Sequence, residues 1–153
     1  MKVFPEACSG SYDSIAENAI SLPQGIIGFA EYRRAELLYM PDHLPFLWMK
    51  LHASAESVNF VVLEPGGIIP NYELEVFDND AEYLGLNDPA EAMVLNIVTL
   101  RQQTPLEATV NLVGPILVNR RTRIGRQLVI ANYSKYSARH LLVQPEAQAC
   151  ASA

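Results

Sequence analysis

The sequence predicts an all-β fold, a compact antiparallel β-barrel with at most one or two short helices. Apolar runs of strand length recur six or seven times, separated by turns rich in Gly, Pro, Asn and Asp, while helical spacing is confined to one short segment after Asp78. The stretch Thr109 to Asn119, T-V-N-L-V-G-P-I-L-V-N, carries β-branched residues or leucine at its apolar positions and is broken once, by Gly114-Pro115. Pro115 has no N–H for a ladder and Gly114 no side chain to pack, so the break reads as a bulge or corner, the feature that closes a barrel. Asn111 and Asn119 flank it. Their amides are costly to bury unpaired, so both read as structural residues that bond nearby backbone and set the register.

Taken in order, Val3-Phe4-Pro5 suits the start of an edge strand. Ile20-Ser21-Leu22-Pro23-Gln24-Gly25-Ile26-Ile27-Gly28-Phe29 is a shaped loop: Pro23 presets φ, and Gly25 and Gly28 permit positive φ or close backbone approach, which aims Ile26, Ile27 and Phe29. It is not a phosphate cradle, because neither a Lys-Ser/Thr pair nor a third glycine follows. Ala35 to Met40 is a short strand. In Phe46 to His52, Leu47, Met49 and Leu51 share one face and Phe46, Trp48 and Lys50 the other. Val58 to Leu63 is a more continuous run ended by Glu64-Pro65-Gly66-Gly67, and Tyr72 to Val76 alternates as a half-buried strand. Asp78 to Leu86 reads as one or two helical turns, and Met93 to Leu100 as a strand ahead of a turn over Gln102 to Pro105. After Leu106 to Asn119 comes Gln127 to Asn132, then a segment from Tyr133 to Val143 open to either strand or short helix.

With 153 residues, half of them apolar, the chain can bury a core without disulfides or metal, and a single domain over 1–143 with a disordered tail over 144–153 is expected. No apolar run is long enough to span a membrane and no basic-then-apolar leader is visible, so a cytoplasmic location is expected. Cys8 and Cys150 read as incidental thiols. Net charge is −6, unevenly spread: residues 51–100 hold nine acids and no Lys or Arg, whereas residues 101–153 hold seven basic residues against two acids. An acidic face repels nucleic acid and attracts a basic protein, although a merely solvated surface would have the same composition.

Catalytic patterns are weak. There is no G-x-S-x-G elbow, and neither cysteine is paired with His43, His52 or His140. Asp78-x-Asp80-x-Glu82 imitates the start of a calcium loop, but Tyr83 stands where glycine is required and Pro89 where glutamate is required. No enzyme, cofactor or metal is therefore expected; a hydrolase built on those three carboxylates is the outlying reading. Arg120-Arg121-Thr122-Arg123-Ile124-Gly125-Arg126 could contact phosphates, which makes a small RNA- or polyanion-binding barrel the alternative function. The low pI and the lack of interleaved aromatics favour a solvated hairpin loop instead.

L-P-Q-G-I-I-G-F at 22–29, P-F-L-W-M-K-L-H-A at 45–53, F-V-V-L-E-P at 60–65 with Asn71-Tyr72, and T-V-N-L-V-G-P-I-L-V-N with Gln127 after it resemble the flagellar assembly factor FliW family in content and order. The chain departs from the usual family pattern at Ile26-Ile27 and His52-Ala53. The resemblance implies a non-enzymatic β-barrel that binds flagellin in the cytoplasm and also binds the RNA-binding translational regulator CsrA. Once flagellin is exported, the freed factor captures the regulator and relieves repression of flagellin translation. Neither direct nucleic-acid contact nor a membrane is expected. Pro23, Gly25, Gly28 and Phe29, together with Glu64, Pro65 and Tyr72, are the expected partner surface. The competing expectation is that the glycine loop packs inward as barrel closure.

Overall fold

The structure, a computed structural model, describes residues 1–5, 18–101 and 107–142. The turn over Gln102 to Pro105, both cysteines and the boundary and tail expected around 143–153 lie outside the described residues. The strands are β1 (Lys2–Val3), β2 (Ala19–Ser21), β3 (Arg34–Leu38), β4 (Leu47–His52), β5 (Ser57–Leu63), β6 (Leu74–Glu75), β7 (Ala92–Arg101), β8 (Glu107–Val110), β9 (Ile116–Asn119), β10 (Gly125–Gln127) and β11 (His140–Leu141). Among the described residues one α-helix, α1 (Asp78–Tyr83), joins them. The fold is all-β, and every strand pair in it is antiparallel.

The main sheet runs β10-β9-β7-β5-β4-β3-β2, and a branch carries β8 and β11 off β7. It curls until its ends touch at one isolated bridge between Ser21 and Ile124, with the Ser21 N–H donating to the Arg123 carbonyl at 2.8 Å. No ladder joins β2 to β10, so the sheet is not a closed barrel. The expected corner is also different in kind. Thr109 to Asn119 is not one bent strand but parts of two, both paired to the same long β7: β9 lies along Ala92 to Leu95 and β8 along Val98 to Arg101. Residues 111–115 arch over the gap, opposite only Asn96 and Ile97.

That fork divides the interior. Met93 and Leu95 of β7, with Ile116 and Val118 of β9, join a core with Ile20, Leu22, Leu37, Met49, Leu51 and Val62. Val94, Val98 and Leu117 face the other way, into a second core with Leu63, Tyr72, Leu74, Leu112, Leu128 and Ile130. A ladder buried on both faces has no solvent side to mark with polar residues, which is why β7 and β9 read as near-continuous apolar runs. In β4, Leu47, Met49 and Leu51 are buried while Trp48 and Lys50 are half-buried; each buried side chain contributes about 1.5–3 kcal/mol.

Two expected strands are shorter. Tyr72 to Val76 forms a ladder only at Leu74–Glu75, against β1. Its other edge is satisfied without a strand: Asn132 accepts from Glu75 N–H at 2.9 Å and donates to the Glu73 carbonyl at 2.8 Å, and the Tyr136 hydroxyl accepts from Glu73 N–H at 2.9 Å. Gln127 to Asn132 is ladder only through Gln127. Asp78 and Asp80 place negative charge in the first turn of α1, where the helix dipole favours it.

Candidate partner-binding site

Between β2 and β3 the chain makes a succession of tight turns, Gly25 N–H to the Leu22 carbonyl, Phe29 N–H to Ile26 and Tyr32 N–H to Phe29, at 2.8, 2.8 and 3.1 Å. Gly25 has φ +64° and is buried; a Cβ there would collide with the Phe29 carbonyl, so only glycine fits. Gly28 has φ +88° but open space where a Cβ would go. The turns divide the loop. Leu22 and Ile26 point into the core, while Pro23 and Gly28 are exposed and the Ile27 side chain is 67% exposed. The two expectations for this loop, outward display and inward packing, each describe half of it.

Phe29 is half-buried, its ring edge-to-face with Phe60 at 5.1 Å and with Tyr32 at 5.6 Å. Desolvation, followed by the charges of the nearby Glu56 and Glu31 carboxylates, holds the Tyr32 pKa above the ordinary tyrosine value.

A glutamine clamps the loop from behind. Gln127 Oε1 accepts from Ile27 N–H at 2.9 Å, and its Nε2 donates to the Gly114 carbonyl at 3.0 Å. Gly114 N–H and Val113 N–H donate to Asn111 Oδ1 at 2.9 and 3.0 Å, which folds the arch before Pro115. Asn96, fully buried at the fork, donates from Nδ2 to the Asn111 carbonyl at 2.9 Å and to the Tyr72 hydroxyl at 3.1 Å. Tyr72 in turn donates to the Leu112 carbonyl at 2.6 Å. Asn119, also buried, works at the other end of β9: Nδ2 donates to the Leu84 carbonyl at 2.8 Å and Oδ1 accepts from Arg121 and Thr122 N–H, tying the end of α1 to the β9–β10 hairpin.

The seven residues expected to form one partner surface are not all on a surface. Tyr72 is 5% exposed, its ring edge-to-face with Tyr136 at 5.0 Å, because its hydroxyl is consumed in bridging the fork. Pro65 is buried, and its carbonyl accepts from both Ile68 and Ile69 N–H in a tight turn. Glu64 is half-buried at the end of β5. Of the seven, Pro23, Gly28 and part of Phe29 remain accessible on the loop. Ile27, the most exposed apolar residue of the loop, was read from the sequence as aimed by the glycines but left out of the expected partner surface, and Asn96, a lone amide inside an apolar strand, went unread although the rarity of buried unpaired polar groups could have flagged it.

In the basic segment, Arg126 stacks over Tyr83 at 4.5 Å and pairs with Asp80 at 3.6 Å, and Arg123 donates to the Ala19 carbonyl at 3.3 Å. Arg120 and Arg121 are exposed. Among the described residues no group of three His, Cys, Asp or Glu could hold a metal ion, and no helix is long and apolar enough to cross a membrane.

Comparison with known proteins gives one lineage. The profile of the family described as FliW protein matches residues 5–142. The flagellar assembly factor FliW of Natranaerobius thermophilus is 32% identical over 133 residues, 87% of each chain, and that of Desulfitobacterium hafniense strain DCB-2 is 36% identical over 92% of this chain and 90% of its own. A crystal structure of the flagellar assembly factor FliW superposes with a TM-score of 0.73 at 26% identity, covering 92% of this chain and 96% of that one. The overall fold is thus one shared with a class of flagellar assembly factors. The chain belongs to the FliW family.

Proposed function

We propose that this chain binds flagellin and the RNA-binding translational regulator CsrA in the cytoplasm, exchanging one for the other so that flagellin synthesis follows flagellin export. It does so as a non-catalytic binding protein without a cofactor, built as one domain over 1–143. The observation that carries this reading is the display of Ile27 and Gly28 on a loop whose backbone is fixed from behind by Gln127. Exposed apolar groups on a pre-organised turn lose little conformational entropy on binding, which is what makes a small surface an effective contact. The acidic balance of the chain suits a basic, RNA-binding partner.

The test is titration calorimetry of the purified chain with purified CsrA and with purified flagellin, using Ile27→Asp and Gly28→Arg. Both variants should weaken capture by at least about tenfold, the scale of a central contact; Ile27→Asp should leave the unfolding midpoint unchanged, and Gly28→Arg should cost only the positive-φ strain of about 1 kcal/mol. Phe29→Ala is a poorer probe, because its ring packs on Phe60 and Tyr32 and its removal also costs stability. Wild-type protein that binds neither partner, or variants that bind like wild type, would overturn the reading. RNA binding through Arg120 and Arg121 remains the alternative. Two of its four arginines are already engaged by Asp80 and Ala19, and it predicts RNA affinity that falls steeply with salt.

A further inference from the structure

We propose that the half-buried rings of Phe29, Tyr32 and Phe60, rimmed by Glu31 and Glu56, form a seat for a basic side chain of the partner polypeptide that lands on Ile27. This inference rests on the proposed function and names the chemistry of its contact. The three rings come from two elements: Phe60 stands on β5, while Phe29 and Tyr32 arrive on the glycine loop, and the centroid spacings of 5.1 and 5.6 Å make one aromatic shelf. Each ring is half-buried and so keeps part of its surface open to a partner, and an aromatic ring attracts a cation.

The carboxylates supply the second half. Glu56, in the turn between β4 and β5, and Glu31, next to Tyr32 in the chain, both lie near enough for their charge to act on the Tyr32 hydroxyl. Both are exposed. Three acids elsewhere have cations of their own: Glu73 pairs with Lys2 at 3.6 Å, Asp80 with Arg126 at 3.6 Å and Glu107 with Arg101 at 3.7 Å. Glu31 and Glu56 form no such pair among the described residues, although Arg33 is close in sequence. Two carboxylates left unneutralised beside an aromatic shelf and an exposed isoleucine are complementary to a segment presenting a lysine or arginine next to an apolar side chain.

The experiment measures affinity of the basic regulator CsrA for wild type, for Glu31→Gln/Glu56→Gln and for Phe60→Leu, at about 50 mM and about 500 mM salt, either side of strong charge screening. The charge variant should bind about tenfold more weakly at low salt and only about twofold more weakly at high salt. Phe60→Leu keeps apolar bulk but loses the ring face, and should bind roughly two- to fivefold more weakly. The glutamines sit at exposed positions, so unfolding midpoints should match and the charge arm stands even if Phe60→Leu is destabilised. Equal affinity and equal salt dependence in the charge variant, with wild type binding well, would overturn this seat while leaving the proposed function intact. Wild type that fails to bind would overturn both.

Discussion

Asn96 shows how much a single amide carries. It stands where β8 and β9 part company, with one Nδ2 serving both the Asn111 carbonyl and the Tyr72 hydroxyl, and its Oδ1 is buried without a protein partner. Asn96→Ala should cost about 1–3 kcal/mol, the penalty for leaving buried polar groups unpaired, measured by denaturant unfolding. Tyr72→Phe should cost a similar amount at neutral pH, and the double variant less than the sum, because both remove the same bond. Tyr72 adds a pH signature. Burial, partly offset by the Asn96 bond and reinforced by Tyr136, raises its pKa above the ordinary tyrosine value. The unfolded phenol ionises from about pH 10 upward while the folded one resists. The stability Tyr72 contributes is therefore complete below about pH 10 and lost as pH rises further, so the gap between wild type and Tyr72→Phe should narrow above that point. Tyr72 was legible as an apolar position on an alternating segment, but not as a buried residue outside the ladder. Nothing local to Asn71-Tyr72-Glu73 announces that its hydroxyl will find a carbonyl forty positions on.

Among the elements, the glycine loop makes the sharpest contrast. Gly25 and Gly28 look alike in sequence, two positive-φ glycines three apart, yet only one is packed. Gly25→Ala should destabilise by roughly 3 kcal/mol or more, since left-handed strain of about 1–2 kcal/mol is joined by a backbone collision. Gly28→Ala should cost about 1 kcal/mol, from strain alone. Thermal unfolding of the pair measures the difference. Gln127→Leu should cost about 1–2 kcal/mol by removing two hydrogen bonds, and should speed hydrogen exchange at the Ile27 amide specifically, because that N–H loses its acceptor. Strands with one solvent face, such as β4, were readable from alternation, and β7 from its apolar length. The fork was not. Gly114-Pro115 signalled a break in the ladder, but whether a strand bends or ends there depends on what lies opposite, and that is Asn96, in an element whose pairing is long-range.

At the scale of the molecule, the sheet curls around two cores, and its two ends meet at a single bridge. Charge follows the same division. Arg126 and Asp80, from the basic and acidic thirds of the chain, neutralise each other beside Tyr83, so part of the asymmetry visible in the sequence is spent internally. Glu31 and Glu56, exposed and without an ion pair among the described residues, lie near the loop, one of them outside the acidic third where composition pointed. Family membership was legible because the order of the loop, β4, β5 and β9 motifs is held by the fold. The accessible surface was not, because exposure is a property of packing across elements.

Exchange between partners is the decisive property of the proposed binding protein. A labelled RNA leader bound to CsrA should be released when this protein is added in stoichiometric amount, release should be blocked by prior saturation with flagellin, and Ile27→Asp should release nothing. RNA that stays bound to the regulator, or release that proceeds unchanged in the presence of excess flagellin, would contradict it.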